Sequence, residues 1–287
     1  MSHITCQEAA ENAGLKKTDI EFLLSISKRA VTIGGKVLMD HYGSLEKIKN
    51  KGRIGDLVTE ADLHAEEEVT KLLKRETSQI SILAEESGYH GSENSLVWCL
   101  DPLDGTTNYA NGYPFFGTSL GLNWNNKPIL GSISIPFLKE TYWAGPGIGS
   151  FCNDTKNIVS NKTKLEDCLL VTGFSYDRHS VLDNNYAEFC WMTHRTRGVR
   201  RGGAAAIDLA FVANGRLDGY WERGLAKWDL SAGVPIVELA GGEISDYQDK
   251  SFDINTGRIL ANTPGITEAL KNELKKVSPL PAKYYGV

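Results

Sequence analysis

Two short apolar runs that stop on carboxylates constrain this fold more than any other feature of the sequence. Residues 80–84 lead into Glu85 and Glu86, and residues 96–100 lead into Asp101 and Pro102, with Asp104 shortly beyond. Runs of this length and apolarity predict strands, here with acidic groups at their C-terminal ends. Upstream, Thr18-Asp19-Ile20-Glu21 has capping-box spacing. It opens a run in which Phe22, Leu23, Ile26, Ala30, Ile33, Val37 and Leu38 recur at helical intervals. Thr59-Glu60-Ala61-Asp62 repeats the start signal before Ala65, Val69, Leu72 and Leu73, with Glu66-Glu67-Glu68 and Lys74-Arg75 on the solvent face. Residues 115–152 alternate as an antiparallel sheet, with Asn125-Asn126 as a hairpin turn. From about residue 153 strands (169–171, 220–221, 259–260) alternate with helices (near 186–194, 204–212, after Trp228, and near 266–277). The pattern predicts a layered α+β or α/β chain in two sub-domains. Residues 1–155 form an N-terminal α+β sub-domain, and residues 156–287 a C-terminal α/β sub-domain that adds Asp229.

Composition narrows the function. Across 287 residues, 31 Lys+Arg against 36 Asp+Glu leave a net charge of -5. Such a balance gives no electrostatic reason to bind nucleic acid or an anionic membrane, so neither is expected as a partner. No uninterrupted apolar stretch approaches the ~18 residues of a membrane span, and the first residues lack the order of a signal peptide, which predicts a cytoplasmic protein. Cys6, Cys99, Cys152, Cys168 and Cys190 are odd in number and never form a C-x-x-C pair, so they read as reduced thiols.

The acidic residues carry the candidate chemistry. Proline disfavours the helical region for the residue before it, so Asp101 stays extended and its carboxylate projects from the strand tip. Gly105-Thr106-Thr107-Asn108 follows Asp104 at once. A glycine and then hydroxyl residues at a helix start present backbone N–H groups to a phosphate, and an oxygen-rich site beside such a cradle suits Mg²⁺. Alone, Asp-Pro-x-Asp-Gly is equally an ordinary turn, Asp229 a helix-start acid, and Asp62 the end of a capping box. Their occurrence together, with Glu85-Glu86 closing the preceding strand, favours a site.

The carrying motifs are Asp56-Leu57-Val58-Thr59-Glu60-Ala61-Asp62, Ala84-Glu85-Glu86-Ser87, Trp98-Cys99-Leu100-Asp101-Pro102-Leu103-Asp104-Gly105-Thr106-Thr107-Asn108-Tyr109, and Trp228-Asp229-Leu230-Ser231-Ala232-Gly233 with Gly241-Gly242. In these motifs and their order, from about residue 20 to 265, the chain resembles the inositol monophosphatase family of Mg²⁺-dependent, lithium-sensitive phosphatases. The resemblance implies an αβαβα sandwich of the inositol monophosphatase and fructose-1,6-bisphosphatase type. It implies two or three Mg²⁺ ions: one on Glu85, Asp101 and the backbone carbonyl of Leu103, a second on Asp101, Asp104 and Asp229, and a weaker third near Glu85. Thr106, close to Asp62, would orient and help deprotonate the attacking water, with Glu85 completing the catalytic set. Gly105 and Thr106 would hold the phosphate through backbone N–H groups. Glu222 and Gly203-Ala204-Ala205 would contact the alcohol, with Asp104 and Asp229 also facing substrate. Family members often carry a hydroxyl residue where this chain has Ala204, while Thr107-Asn108 looks like the inositol-phosphate branch. The expected function is hydrolysis of inositol monophosphate, a small-molecule phosphate ester, by a homodimer. Fructose-1,6-bisphosphate or another sugar phosphate in the same site is the alternative, and a non-catalytic regulatory protein of the same fold a further one.

Other signals carry less. Gly117-Thr118-Ser119-Leu120-Gly121 matches a nucleophile elbow but lies in an alternating strand, and Gly145-Pro146-Gly147-Ile148-Gly149 reads as a turn. The six histidines show no paired metal spacing. Arg195, Arg197, Arg200 and Arg201 form a basic run that is either a solvated connection or a rim attracting an anionic substrate.

Overall fold

In the computed structural model, which describes residues 4–45, 47–52, 56–92, 94–247 and 250–281, the alternating segment builds most of an eight-stranded sheet. The order across it is Thr155–Lys156, Gly149–Cys152, Glu140–Gly145, Lys127–Ile135, Gly117–Trp124, Leu96–Asp104, Ser81–Ala84 and Gly88–His90. Neighbours are antiparallel except Ser81–Ala84, which runs parallel to Leu96–Asp104. Asn125 and Asn126 adopt φ of 46° and 61°, the left-handed conformation that a two-residue turn between twisted strands requires.

One face of this sheet presents Trp98, Leu100, Leu120 and Leu122 to the helices Lys17–His41 and Glu60–Glu76, whose Leu23, Ile26, Leu72 and Leu73 complete the cluster. Ile133 and Tyr142 instead pack with Ile207, Leu209 and Ile236 of the helices Ala205–Ala213 and Gly233–Glu238. Those helices rest in turn on a second sheet of order Gly198–Arg200, Leu169–Thr172, Gly219–Glu222, Ile259–Asn262 and Glu243–Ser245. Strand alternation divides its residues between two cores. Val171, Tyr220 and Ala261 face inward, while Leu170, Trp221 and Leu260 meet Met192 and Leu270 of the outer helices Tyr186–Thr193 and Thr267–Lys275. The layers run helix, sheet, helix, sheet, helix, as the resemblance implied.

A pair of cross-strand partners, Gly121 and Gly131, fixes how the middle helices sit. A Cβ on either would overlap the backbone of Ser231 or Ala232, so the chain joining helix Lys227–Ser231 to helix Gly233–Glu238 lies directly on the large sheet.

Three sequence expectations are corrected. The long helix starts at Lys17, with Asp19 accepting the Lys16 N–H at 2.9 Å, so Thr18 and Glu21 are not its cap. Phe22 lies off the buried stripe and is 51% exposed. Glu66 is buried, because its carboxylate accepts the Glu86 N–H at 2.9 Å and so ties the helix Glu60–Glu76 to the sheet. The short helix Cys6–Asn12 and the hairpin of Ile48–Asn50 with Leu57–Thr59 were not legible as elements; the exposed Ile48–Asn50 strand has no buried face to impose a pattern. All five cysteines are free, and the nucleophile-elbow match lies within strand Gly117–Trp124. Among the described residues no helix is long and apolar enough to cross a membrane.

Candidate active site

Strand Leu96–Asp104 supplies two carboxylates through an irregularity. Asp101 faces Ser119 and Asp104 faces Gly117, so three steps on one strand match two on its neighbour. In a regular strand, residues three apart point to opposite faces; the bulge restores the parity and turns both carboxylates to one side. They line a cavity of about 420 Å³. Glu85 reaches it from the end of the parallel neighbour, its N–H donating to Leu100 O at 3.1 Å. Asp229 arrives on the helix that the glycine pair seats on the sheet, and its carboxylate also caps that helix by accepting the Ala226 N–H at 2.7 Å.

Leu103, Gly105, Thr106, Gly203, Ala204, Ala205 and Glu222 complete the same wall. Every expected metal and substrate residue therefore meets at one cavity. Asp62 is the exception, buried behind Thr106 and reaching the cavity through it, with Thr106 Oγ1 3.1 Å from Asp62 Oδ1. Asp62 Oδ2 accepts both the N–H and the hydroxyl of Thr59, at 2.8 and 2.5 Å. The capping box and the contact with Thr106 are thus two edges of one carboxylate. Thr106 has a single hydroxyl proton and two acceptors in reach, Asp62 Oδ1 and the Leu103 carbonyl at 3.0 Å.

Burial raises the Asp62 carboxyl to about 6, against the lowering effect of the Thr59 bonds. Asp101 and Asp229 are held well above the usual range by burial and then by the charges around them, Glu85 foremost. Asp104 is raised to about 7 by burial although it accepts the N–H groups of Ala205 and Ala206 at 3.1 and 2.8 Å, which dock it on the N-terminus of helix Ala205–Ala213. Glu222 is raised to about 7 by burial, while the Tyr220 hydroxyl, 2.6 Å away, partly offsets this.

Sequence reasoning missed Lys51. Its ammonium lies 2.9 Å from Glu85 and 2.5 Å from Glu86; burial works against its charge, but the two carboxylates outweigh that and raise its pKa. It also missed Gly173, Phe174, Ser175, Tyr176 and Arg178, which line the cavity from the second sheet. No periodicity marks either, since each lies just beyond a strand end. Of the basic run, Arg195 pairs with Glu273 at 2.7 Å and Arg197 with Asp167 at 3.6 Å, whereas Arg201 lines the cavity.

The acidic donors are all oxygens, with no His or Cys among the described residues of the cavity wall, and this chemistry fits a hard divalent cation. Among the described residues no three acidic, His or Cys groups already stand arranged to hold an ion. Their oxygens are engaged instead by Lys51, by the Leu103 N–H on Asp101 at 3.0 Å, and by the N–H groups on Asp104 and Asp229.

Comparison with known proteins agrees with this geometry. The model described as "Inositol monophosphatase family" matches residues 19–278. The chain is 46% identical over 267 residues to an inositol-1-monophosphatase of Synechocystis sp., covering 93% of each chain. It is 34% identical over 263 residues to the Nus factor SuhB of Pseudomonas aeruginosa, covering 90% of this chain and 96% of that one. The solved structure of an inositol monophosphatase from Anabaena (Nostoc) sp. superposes with a TM-score of 0.84 at 44% identity, over 91% of this chain and 98% of the other. With that fold, those motifs and one cavity collecting their carboxylates, the chain belongs to the inositol monophosphatase family and is a phosphatase acting on a phosphate ester.

Proposed function

We propose that this phosphatase hydrolyses inositol monophosphate to inositol and phosphate, with Mg²⁺ held by Glu85, Asp101, the Leu103 carbonyl, Asp104 and Asp229. When bound, Mg²⁺ acidifies a water and offsets charge on the leaving oxygen. The protein's own part is positional. Thr106 Oγ1 donates to Asp62 Oδ1 and accepts a hydrogen bond from the attacking water, and the Asp62 carboxylate, ionised above about pH 6, draws the proton along that line. Backbone N–H groups of Gly105 and Thr106 hold the phosphate. Glu222 and the 203–205 backbone accept the alcohol's hydroxyls.

The observation that carries this reading is the Asp62–Thr106 contact, 3.1 Å, at the edge of an all-oxygen acidic cavity. Phosphate release from inositol 1-phosphate, measured with Mg²⁺ and again with chelator, tests it; turnover unaffected by the chelator would defeat it. Assembly as a homodimer is part of the same proposal and is read by sedimentation. The SuhB relative's name favours one further reading, a regulatory protein of this fold. An intact acidic set with no release of phosphate from any ester would support it.

A further inference from the structure

Residues 173–178 follow strand Leu169–Thr172 into the cavity, and alternate positions are stitched to the chain at residues 222–224. A Cβ on Gly173 would overlap the Glu222 carboxylate, and one on Gly224 would overlap Ser175, so each glycine admits its neighbour. Asp177 closes the stitch with two parallel bonds from Arg223, at 2.8 and 2.9 Å. Phe174 and Tyr176 lie between these anchors and Arg178 just after them, all on the cavity wall.

The three are not equivalent. Phe174 packs against Tyr186 and Phe189 at ring separations of 5.2 and 5.7 Å. Arg178 donates to the Ser175 carbonyl at 3.1 Å. Tyr176 stays 44% exposed, and among the described residues no ring and no hydrogen bond engages it. It lines the same cavity as Asp56, Glu85, Asp101 and Asp229. The anchored loop thus presents, on the cavity wall that also carries Glu222, Gly203, Ala204 and Ala205, an aromatic ring with no partner among the described residues. Aromatic rings gain by packing against apolar surface while keeping a polar edge wet, and the C–H face of a ring alcohol is such a surface.

We propose that Tyr176 is a specificity-determining residue of this site, an aromatic platform held by the Asp177–Arg223 pair, against which the C–H face of a cyclic polyol phosphate packs. The inference rests on the inositol-phosphate reading above. An open-chain ester offers no rigid face and gains little.

The test compares inositol 1-phosphate with glycerol 2-phosphate in the unmodified enzyme and in Tyr176→Ala, Tyr176→Phe and Arg223→Gln. Tyr176→Ala raises KM for the inositol ester about 10-fold while kcat stays within about twofold, and the glycerol ester's KM hardly moves. Tyr176→Phe restores the inositol KM, because the ring and not the hydroxyl forms the platform. Arg223→Gln, checked by a thermal melt for folding, repeats part of the KM rise. Equal KM changes for both esters, a fall in kcat on both, or Phe as poor as Ala overturns the platform. If the unmodified enzyme hydrolyses the glycerol ester and no inositol ester, the inositol reading falls and this inference falls with it. If it hydrolyses both and only the variants fail to discriminate, the platform alone is wrong.

Discussion

The two walls of the cavity are built on opposite electrostatic terms. On the wall from the large sheet, burial raises the pKa of Asp101, Asp104 and Asp229 and the charge of Glu85 adds to each, with Lys51 as the cation on Glu85. Behind the wall from the second sheet, Asp177 is held down to about 2 by its bonds from Arg223, and Asp183 is shared by Arg223 and Arg258. The first wall is a charge arrangement left for a cation to complete. The second, Glu222 apart, is complete by itself and fixes shape. The contrast shows that one cavity divides its labour: chemistry where charges are unmatched, recognition where they are matched.

The largest expected effect lies on the unmatched wall. Thr106→Ala removes the hydroxyl between water and Asp62, so kcat should fall by about 10²–10⁴ with KM nearly unchanged. Asp62→Asn should lose a similar factor, and the double variant should be little worse, because the two groups act as a unit. Since Asp62 also caps its helix, its replacement should lower stability by about 0.5–2 kcal/mol as well. Steady-state kinetics on the three variants, with thermal melts, read both effects; strictly additive kinetic losses would break the assignment.

Two neighbouring carboxylates should then part company. Asp101→Asn removes one charge from a repelling group, so the chelated protein should melt higher although Mg²⁺ half-saturation rises about 10–100-fold. Asp104→Asn has one oxygen where Asp104 uses both on the N–H groups of Ala205 and Ala206, so it should lose about 1–3 kcal/mol as well as activity. Melting curves in chelator distinguish them, and equal shifts in the same direction would show that Asp104 does not hold its helix.

The pH dependence of stability should have opposite signs for the buried carboxylates and for the arginine-paired Asp177. Asp62, at about 6, and Asp104 and Glu222, at about 7, bind protons more tightly folded than unfolded. Their contribution is therefore present below the unfolded values near 4 and is lost as pH rises through 6 to 7. In chelator the melting temperature should fall across that interval, and Mg²⁺ should recover it. Asp177 behaves in reverse: its contribution is present above the unfolded value and is lost as pH falls towards 2. It is also the smallest effect, since the carboxylate is 37% exposed and screened, and Asp177→Asn should cost no more than about 1 kcal/mol at neutral pH. A melting temperature in chelator that rises between pH 4 and 7 would erase the contrast.

What the sequence determined by itself is what short-range physics decides. The hairpin at Asn125-Asn126, the helix begun by Thr59 and Asp62 and the strands that lead into Glu85 and through Asp101 follow from turn preferences, i to i+3 capping and apolar runs, although the second strand runs on to Asp104 and does not stop at Asp101. The same local logic read Glu66 as a solvent-face residue and Thr18 as a cap, because neither the Glu86 N–H nor the competing Asp19 is visible in a periodicity. Only the tertiary structure decided that a bulge turns Asp101 and Asp104 to one side, that Gly121 and Gly131 let Asp229 down onto the sheet, and that residues 173–178 close the far wall. Asp62 meets Thr106 across 44 positions and Asp104 meets Ala205 across 101. Contacts at that separation exist because whole sheets and helices pack, and no local preference of the chain specifies them.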